Sequence, residues 1–153
     1  DRWIRNTVKS VHNDYTERSA PKRVRDILPP DEAEAALQRR FAIIQVWRSV
    51  APMVECEPLA LCDGRTIPPT GFIRNERRYR DRTAETYHIA YNAAHRWYYF
   101  PLMTRDEALV FKVFDSDASA GVRFTAHTSF NDPTSPPDAK PRESIEMRAL
   151  VFY

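Results

Sequence analysis

VRFTAHTSF, residues 122–130, alternates along its length in the manner of a β-strand. Successive side chains of an extended chain point to opposite faces, so every second residue shares one environment. One face takes Val122, Phe124, Ala126, Thr128 and Phe130, and the other takes Arg123, Thr125, His127 and Ser129. The segment is therefore predicted to be a half-buried strand that presents His127 on its polar side.

Further segments after residue 40 share this β-branched and aromatic composition. They are FAIIQVWRSV (41–50), ETYHIAYNA (85–93), HRWYYFPL (95–102), EALVFKVFD (107–115) and SIEMRALVFY (144–153). Prolines cluster in loops at 29–30, 68–69 and 133–141. Short strands at this spacing predict a mainly β domain, a sandwich or barrel of the jelly-roll kind.

Two segments depart from the strand pattern. DEAEAALQRR (31–40) opens with acidic residues and closes with arginines, which suits the helix dipole and predicts one short helix. Residues 63–84 are strongly basic and are expected to form a long loop. Its part from Arg74 to Arg82 is expected to be either solvated surface or a lid over a binding site.

The bulk composition is that of an ordinary globular protein, with 42% hydrophobic and 29% charged residues among 153. A net charge of +2 gives no reason to expect a nucleic-acid or anionic-membrane partner. No apolar run approaches the roughly 18 residues of a membrane span. The first residues lack the apolar stretch of a signal peptide, so a cytoplasmic protein with reduced Cys56 and Cys62 is expected.

The motif VHNDYT (11–16) places His12 and Asp14 two positions apart. In an extended chain these residues point to the same side, so an imidazole and a carboxylate can bind one cation. Alone the motif is weak, because a chance His-x-Asp on a surface loop is common. Non-haem iron centres bind the metal through two histidines and one carboxylate, so a second histidine must come from elsewhere in the chain.

His88, His95 and His127 are the candidates for that second histidine. His127 is favoured, because it lies on the polar side of a predicted strand and far from His12 in sequence. His88 and His95 are equally consistent with ordinary histidines whose hydrogen bonds are satisfied. Fe(II) held by His12, Asp14 and His127 is the expected metal centre.

PRESIEMRALVFY (141–153) opens the last predicted strand and carries Arg142 and Ser144 in an R-x-S arrangement. An arginine there can bind a carboxylate bidentately, and the serine hydroxyl on the same side adds a hydrogen bond. A co-substrate with two carboxyl ends binds the metal through one end, and its other end needs a fixed cation such as this arginine. Taken alone, Arg142 would be read as a solvated charge at the start of a strand. The order His-x-Asp, a distant His and then Arg-x-Ser is a more specific sign of a metal and co-substrate site than any one of these residues.

These motifs resemble the hydroxylase/desaturase family related to the cephamycin methoxylation protein CmcJ. The blocks that carry the resemblance are VHNDYT, QVWRSV, PLALCD, ETYHIAYNAAHRWYYFPLM, DEALVFKVFDS, AHTSFNDP and PRESIEMRALVFY. The resemblance implies a double-stranded β-helix and an Fe(II)- and 2-oxoglutarate-dependent oxygenase that hydroxylates or desaturates a secondary metabolite with O2. By matching position, it makes His12, Asp14 and His127 the metal ligands, and Arg142 and Ser144 the 2-oxoglutarate clamp.

Family members are longer, so residues 1–153 are expected to form a single oxygenase domain that corresponds to their C-terminal half to two-thirds. The N-terminal part of the fold is then expected to be missing. Trp47, Arg48, Tyr91 and Trp97 are candidates for the substrate pocket, although core packing is equally consistent with the aromatic ones. Two alternatives stay open: a cupin-like metal-binding β domain that works without 2-oxoglutarate, and a catalytically inert binding module.

Overall fold

A computed structural model describes residues 6–78, 80 and 83–153, and within these ranges the chain forms two α-helices and nine β-strands. The helices are α1 (Ser19–Ile27) and α2 (Pro30–Leu37), and two 3-10 turns span Gly64–Thr66 and Pro69–Gly71. The strands are β1 (His12–Asn13), β2 (Phe41–Ser49), β3 (Leu59–Cys62), β4 (Phe72–Arg78), β5 (Thr83–Ile89), β6 (Trp97–Tyr99), β7 (Leu109–Asp115), β8 (His127–Ser129) and β9 (Ser144–Phe152). The prediction of a mainly β protein is confirmed.

The strands form two antiparallel sheets. One has six strands in the order β4-β5-β1-β8-β3-β6, and the other has three in the order β7-β2-β9. Strands that are neighbours in the larger sheet are mostly distant in sequence, as in a jelly roll, so the chain winds back and forth between the sheets. The short strand β1 lies in the middle of the larger sheet, between β5 and β8.

The main hydrophobic core joins the smaller sheet to the larger one. Phe41, Ile43 and Trp47 on β2 share this core with Phe111 on β7 and Leu59 on β3. The two helices bury only small apolar residues in it, namely Ala20 and Val24 from α1 and Ala33 and Ala36 from α2. In the part of the chain that the structure describes, no helix is long and apolar enough to cross a membrane.

The strand predicted over residues 122–130 is shorter than expected, because only His127–Ser129 form β8. Its partner β3 ends at Cys62, whose amide donates to Ala126 O, and the chain then turns into the 3-10 turn Gly64–Thr66. Without a partner strand, the residues before Ala126 have no ladder to join. Within His127–Ser129 the strand is buried on both faces, and the length of the pairing depended on a distant segment.

Two other predictions need correction. The predicted single helix is observed as α2, but α1 precedes it and was missed, since SAPKRVRDI is strongly basic and carries a proline within its first turn. Residues 63–84 are a loop only in their first part: after the two 3-10 turns, β4 and β5 pair across seven positions from Phe72↔Ile89 to Arg78↔Thr83. Tyr79, Asp81 and Arg82 lie outside the described residues, and so does that part of the proposed lid.

Candidate metal centre

Pairing of β1 with β8 brings two histidines together. His12 and His127 are register partners in this antiparallel pair, and their ring centroids lie 4.6 Å apart. Directly opposite residues point to the same face of a sheet, so both rings lie on one side. Asp14 follows two residues after His12, and one ligand atom from each of the three residues lies within 4.8 Å of the others. The structure thus gathers the three predicted metal ligands.

Both rings turn the same nitrogen towards Asp14. His12 Nδ1 lies 2.7 Å from Ser10 O, and His127 Nδ1 lies 3.0 Å from Thr125 O. A carbonyl oxygen only accepts hydrogen bonds, so Nδ1 carries the proton in both rings and Nε2 keeps a free lone pair. Nε2 of His127 is 3.5 Å from Asp14 Oδ2, and Nε2 of His12 is 3.9 Å from Asp14 Oδ1.

The charge state of the cluster suits a cation. Burial, followed by the neighbouring His127, lowers the pKa of His12 below its ordinary value, which favours the neutral ring. Burial alone would raise the pKa of Asp14, but the neighbouring His127 and the guanidinium of Arg148 outweigh it and hold that pKa well below its usual range. A neutral imidazole and an ionised carboxylate are the forms that bind metal.

One oxygen of the cluster is left without a partner. Asp14 Oδ2 is buried and accepts no hydrogen bond from the residues that the structure describes. A buried carboxylate oxygen without a donor is costly, and such an atom calls for a specific explanation. A divalent cation bound by Oδ2 would remove this cost. Two imidazoles and one carboxylate are also the donor set of non-haem iron centres, so the residues fit that metal.

Asn13 fixes the segment that carries two of the predicted ligands, a role that no sequence pattern indicated. Its side chain is fully buried, and Nδ2 donates to Tyr15 O at 2.7 Å and to Val113 O at 2.9 Å. Val113 belongs to β7 of the other sheet. Asn13 therefore holds the ligand-bearing turn of the larger sheet against the smaller one.

Arg148 is the second residue that sequence reasoning missed. Its Nη2 lies 3.1 Å from Asp14 Oδ1 and 2.6 Å from Glu146 Oε1, and its Nε donates to Gln45 Oε1 at 3.0 Å. Strand alternation was the available signal, because Ser144, Glu146 and Arg148 fall on one face of β9. The carboxylates of Asp14 and Glu146 raise the pKa of Arg148 against the effect of burial.

Arg142 and Ser144 are placed differently from each other. Arg142 Nη1 donates to Glu57 O at 2.7 Å, its guanidinium lies 5.3 Å from the centre of the Trp47 ring, and its buried Nε has no partner among the described residues. Burial lowers the pKa of Arg142. No ion pair joins Arg142 to a carboxylate within the described ranges. Ser144 is exposed at the start of β9, opposite Ser49.

The four candidate pocket residues are not brought together. Tyr91 and Trp97 line a cavity of about 470 Å³ together with Val11, Ala60 and Thr128. These last three are the chain neighbours of His12, Leu61 and His127, so the cavity lies on the opposite face of the larger sheet from the metal ligands. Trp47 is buried in the core beside Arg142, and Arg48 is exposed on the other face of β2.

The two remaining histidines lie outside the cluster. His88 is the register partner of His12 on β5, and its buried Nε2 has no hydrogen-bond partner among the described residues. His95 lines the cavity on the far face of the sheet. Of the three candidates for the second histidine, the structure thus places His127 with His12 and Asp14.

Comparisons with known proteins give consistent results over nearly the whole chain. Residues 2–152 match the family model described as Oxidoreductase/YMDC permease-like domain. Aspirochlorine biosynthesis protein N from Aspergillus oryzae is 38% identical over 129 residues, an alignment that covers 81% of this chain and 53% of that protein. Hydroxylase/desaturase CTB9 from Cercospora beticola is 35% identical, and the alignment covers 94% of this chain and 46% of that protein.

One solved structure is similar to this chain in both its fold and its sequence. The iron and alpha-ketoglutarate-dependent endoperoxidase NvfI superposes with a TM-score of 0.87 at 33% identity, covering 95% of this chain and 54% of that one. The chain thus spans about half the length of the proteins that it matches. The resemblance to hydroxylase/desaturase proteins and the predicted jelly-roll fold are both confirmed.

Proposed function

Because this chain belongs to the family described as Oxidoreductase/YMDC permease-like domain, we propose that it carries the metal and co-substrate sites of a non-haem Fe(II)/2-oxoglutarate-dependent oxygenase. The observation that carries the proposal is the cluster of His12, Asp14 and His127, in which His127 Nε2 lies 3.5 Å from Asp14 Oδ2 and His12 Nε2 lies 3.9 Å from Asp14 Oδ1. Oδ2 has no hydrogen-bond partner among the described residues. The names of CTB9 and NvfI support the same chemistry.

In this proposal His12 Nε2, His127 Nε2 and Asp14 Oδ2 would hold Fe(II). When bound, the metal with 2-oxoglutarate and O2 supplies oxidation of a substrate C–H bond, with release of succinate and CO2. The chain supplies geometry: the Nδ1–carbonyl bonds fix the tautomer of each ring, and such outer contacts also orient a metal ligand. Phe111, 5.1 Å from the His127 ring, covers that ring on the core side.

Arg142 is proposed to bind the distal carboxylate of 2-oxoglutarate. Its guanidinium is partly buried, carries no carboxylate partner among the described residues, and keeps an unused N–H at Nε. A buried cation without a counter-ion is costly unless a ligand supplies the anion. Ser144 is proposed to add a hydrogen bond to the same carboxylate. Its present exposure at the strand start leaves the hydroxyl free for a ligand.

The substrate is proposed to be a small secondary metabolite, which the enzyme hydroxylates or desaturates. Hydroxylase/desaturase CTB9 and the endoperoxidase NvfI, both similar to this chain, carry names that indicate oxidation, and the name of aspirochlorine biosynthesis protein N indicates a biosynthetic role. The 153 residues are proposed to act as a single oxygenase domain, the C-terminal portion of a longer chain that works in the cytoplasm.

The alternative without 2-oxoglutarate, a cupin-like metalloprotein, uses the same triad but has no need for Arg142. An inert binding module needs neither the metal triad nor Arg142. Among the described residues no carboxylate pairs with the guanidinium of Arg142 and its Nε has no partner, which favours the 2-oxoglutarate oxygenase.

The proposal is tested by following succinate formation from 2-oxoglutarate in the presence of O2, with and without Fe(II). Succinate is expected only when Fe(II), O2 and 2-oxoglutarate are all present, and Asp14→Ala is expected to abolish it. His95→Ala serves as the matched control, because His95 lies on the far face of the sheet. Full turnover in Asp14→Ala would contradict the proposal.

A further inference from the structure

Arg148 touches Asp14 from the opposite sheet, and its own position is fixed by two further side chains. Gln45 and Arg148 are register partners on β2 and β9, and Glu146 is the next residue on the same face of β9. Arg148 Nε donates to Gln45 Oε1 at 3.0 Å, and Gln45 Nε2 donates to Glu146 Oε2 at 2.9 Å. Arg148 Nη2 donates to Glu146 Oε1 at 2.6 Å, which closes a ring of three side chains.

This ring is more rigid than an ordinary surface ion pair. Gln45 is fully buried, so its amide has a single orientation that satisfies both its oxygen and its nitrogen. The side chain of Arg148 is 34% exposed, which would make an isolated ion pair worth little. Its planar guanidinium is instead held at two different nitrogens, Nε and Nη2, and that fixes the position of Nη2, which lies 3.1 Å from Asp14 Oδ1.

The consequence for Asp14 is that its two oxygens are no longer equivalent. Oδ1 lies 3.1 Å from Arg148 Nη2, whereas Oδ2 has no hydrogen-bond partner among the described residues and lies 3.5 Å from His127 Nε2. A carboxylate can bind a metal through one oxygen or through both. Because Oδ1 is paired with a guanidinium and Oδ2 has no partner among the described residues, Oδ2 is the better of the two oxygens for binding a metal.

We propose that Arg148, held by Gln45 and Glu146, is a positioning residue that makes Asp14 a one-oxygen ligand through Oδ2. This inference rests on the proposed function, since it assigns a role at the same metal centre. One-oxygen binding keeps a coordination position open for the co-substrate, which a two-oxygen carboxylate would occupy. Arg148 and Arg142 then have separate tasks, because Arg148 already pairs with two carboxylates and Arg142 with none in the described ranges.

The test uses Co(II), which takes the same nitrogen and oxygen ligands as Fe(II) and reports its coordination number through its visible absorption. Wild type, Arg148→Met and Arg148→Lys are titrated with Co(II). Arg148→Met is expected to lower Co(II) affinity about 10- to 100-fold, the usual effect of losing such an outer contact, and to change the shape of the spectrum. Arg148→Lys keeps the positive charge but not the planar guanidinium, and its Co(II) affinity is expected to fall between those of wild type and Arg148→Met.

Two further variants separate positioning from a loss of folding. Gln45→Leu leaves Arg148 and Asp14 intact but removes the acceptor for Nε, so it is expected to give the same spectral change with a smaller loss of affinity. Arg105→Met changes an exposed loop arginine and is expected to match wild type. Thermal melting of each metal-free variant shows whether the compared proteins are folded.

The possible results are distinguishable. Failure of wild type to bind Co(II) would overturn the proposed function, and this inference with it. Normal binding by wild type, with an unchanged spectrum and affinity in both Arg148→Met and Gln45→Leu, would overturn the positioning role alone. A spectral change shared by both variants, and absent from Arg105→Met, supports it.

Discussion

His12 and His127 face each other across two adjacent antiparallel strands, with their ring centroids 4.6 Å apart. The two residues are far apart in sequence, so the site exists only when β1 and β8 are paired in this register. A slip of one residue would turn one ring to the other face of the sheet, towards the cavity that Val11 and Thr128 line. Metal binding therefore reports directly on correct folding of the larger sheet.

Loss of either histidine is expected to abolish tight metal binding. His127→Ala leaves Asp14 and His12 as a two-ligand remnant, and Fe(II) sites of this type need all three. Metal content after anaerobic loading and desalting checks the prediction. His95→Ala should retain wild-type metal content, and equal metal content in His127→Ala would show that another residue completes the site.

Replacement of Asn13 by alanine is expected to reduce both stability and metal affinity. The variant leaves Val113 O and Tyr15 O without their donor, at an expected cost of about 1–3 kcal/mol. Chemical denaturation measures that cost, and a metal titration of the folded variant measures the effect on the ligands. Asn92→Ala, in an exposed turn, is the control. An Asn13→Ala variant with unchanged affinity would mean that β1 and β8 alone hold the ligands.

Removal of the Arg142 charge is expected to separate co-substrate binding from metal binding. Arg142→Gln should keep Fe(II) affinity, because Arg142 contacts Trp47 and Glu57 O and none of the metal ligands. Loss of a charge-assisted hydrogen bond of about 1.5–3 kcal/mol should weaken 2-oxoglutarate binding roughly 10- to 100-fold. Calorimetry with the metal-loaded protein measures this. Unchanged 2-oxoglutarate affinity would favour the cupin-like alternative.

Asp115 is expected to make stability depend on pH in the acid range. Burial would raise its pKa, but hydrogen bonds from Arg40, Lys112 and the amide of Asp117 outweigh it and hold that pKa well below 3.8. The native state therefore binds this proton less readily than the unfolded state. The stabilisation is complete above pH 3.8 and is lost as the pH falls towards the native pKa.

Asp115→Asn is expected to cost about 2 kcal/mol at neutral pH, since it weakens hydrogen bonds to two charged side chains. The difference in the free energy of unfolding between wild type and variant should become smaller as the pH drops below 3.8. Urea denaturation at several pH values measures it. A difference in the free energy of unfolding that stays constant across this pH range would mean that Asp115 contributes through packing and not through its charge.

The sequence was sufficient to predict that three residues would lie together, but not the contacts that hold them. The prediction of His12, Asp14 and His127 as metal ligands rested on period-two alternation, a known donor set, the Arg-x-Ser that follows and the family resemblance. Asn13 and Arg148 act across the gap between the two sheets, so their partners depend on how the sheets pack. No pattern within one segment carries that information.

The same limit explains the differences in the fold. The extent of β8 depends on where β3 ends, and the basic segment after Asp63 forms strands because β4 and β5 pair with each other. Charged side chains on that hairpin point largely to solvent, so the composition resembled a loop. The substrate-pocket candidates Tyr91 and Trp97 fell on the far face of the sheet for a similar reason, since face assignment depends on register.

The most direct test of the metal centre is an anaerobic titration of the protein with Fe(II), followed by 2-oxoglutarate, monitored by visible absorption. We expect one Fe(II) per chain and a weak charge-transfer band that requires both the metal and 2-oxoglutarate and is absent in Asp14→Ala. Wild-type protein that binds neither, or an Asp14→Ala variant that develops the same band, would contradict the assignment of His12, Asp14 and His127 as the metal ligands.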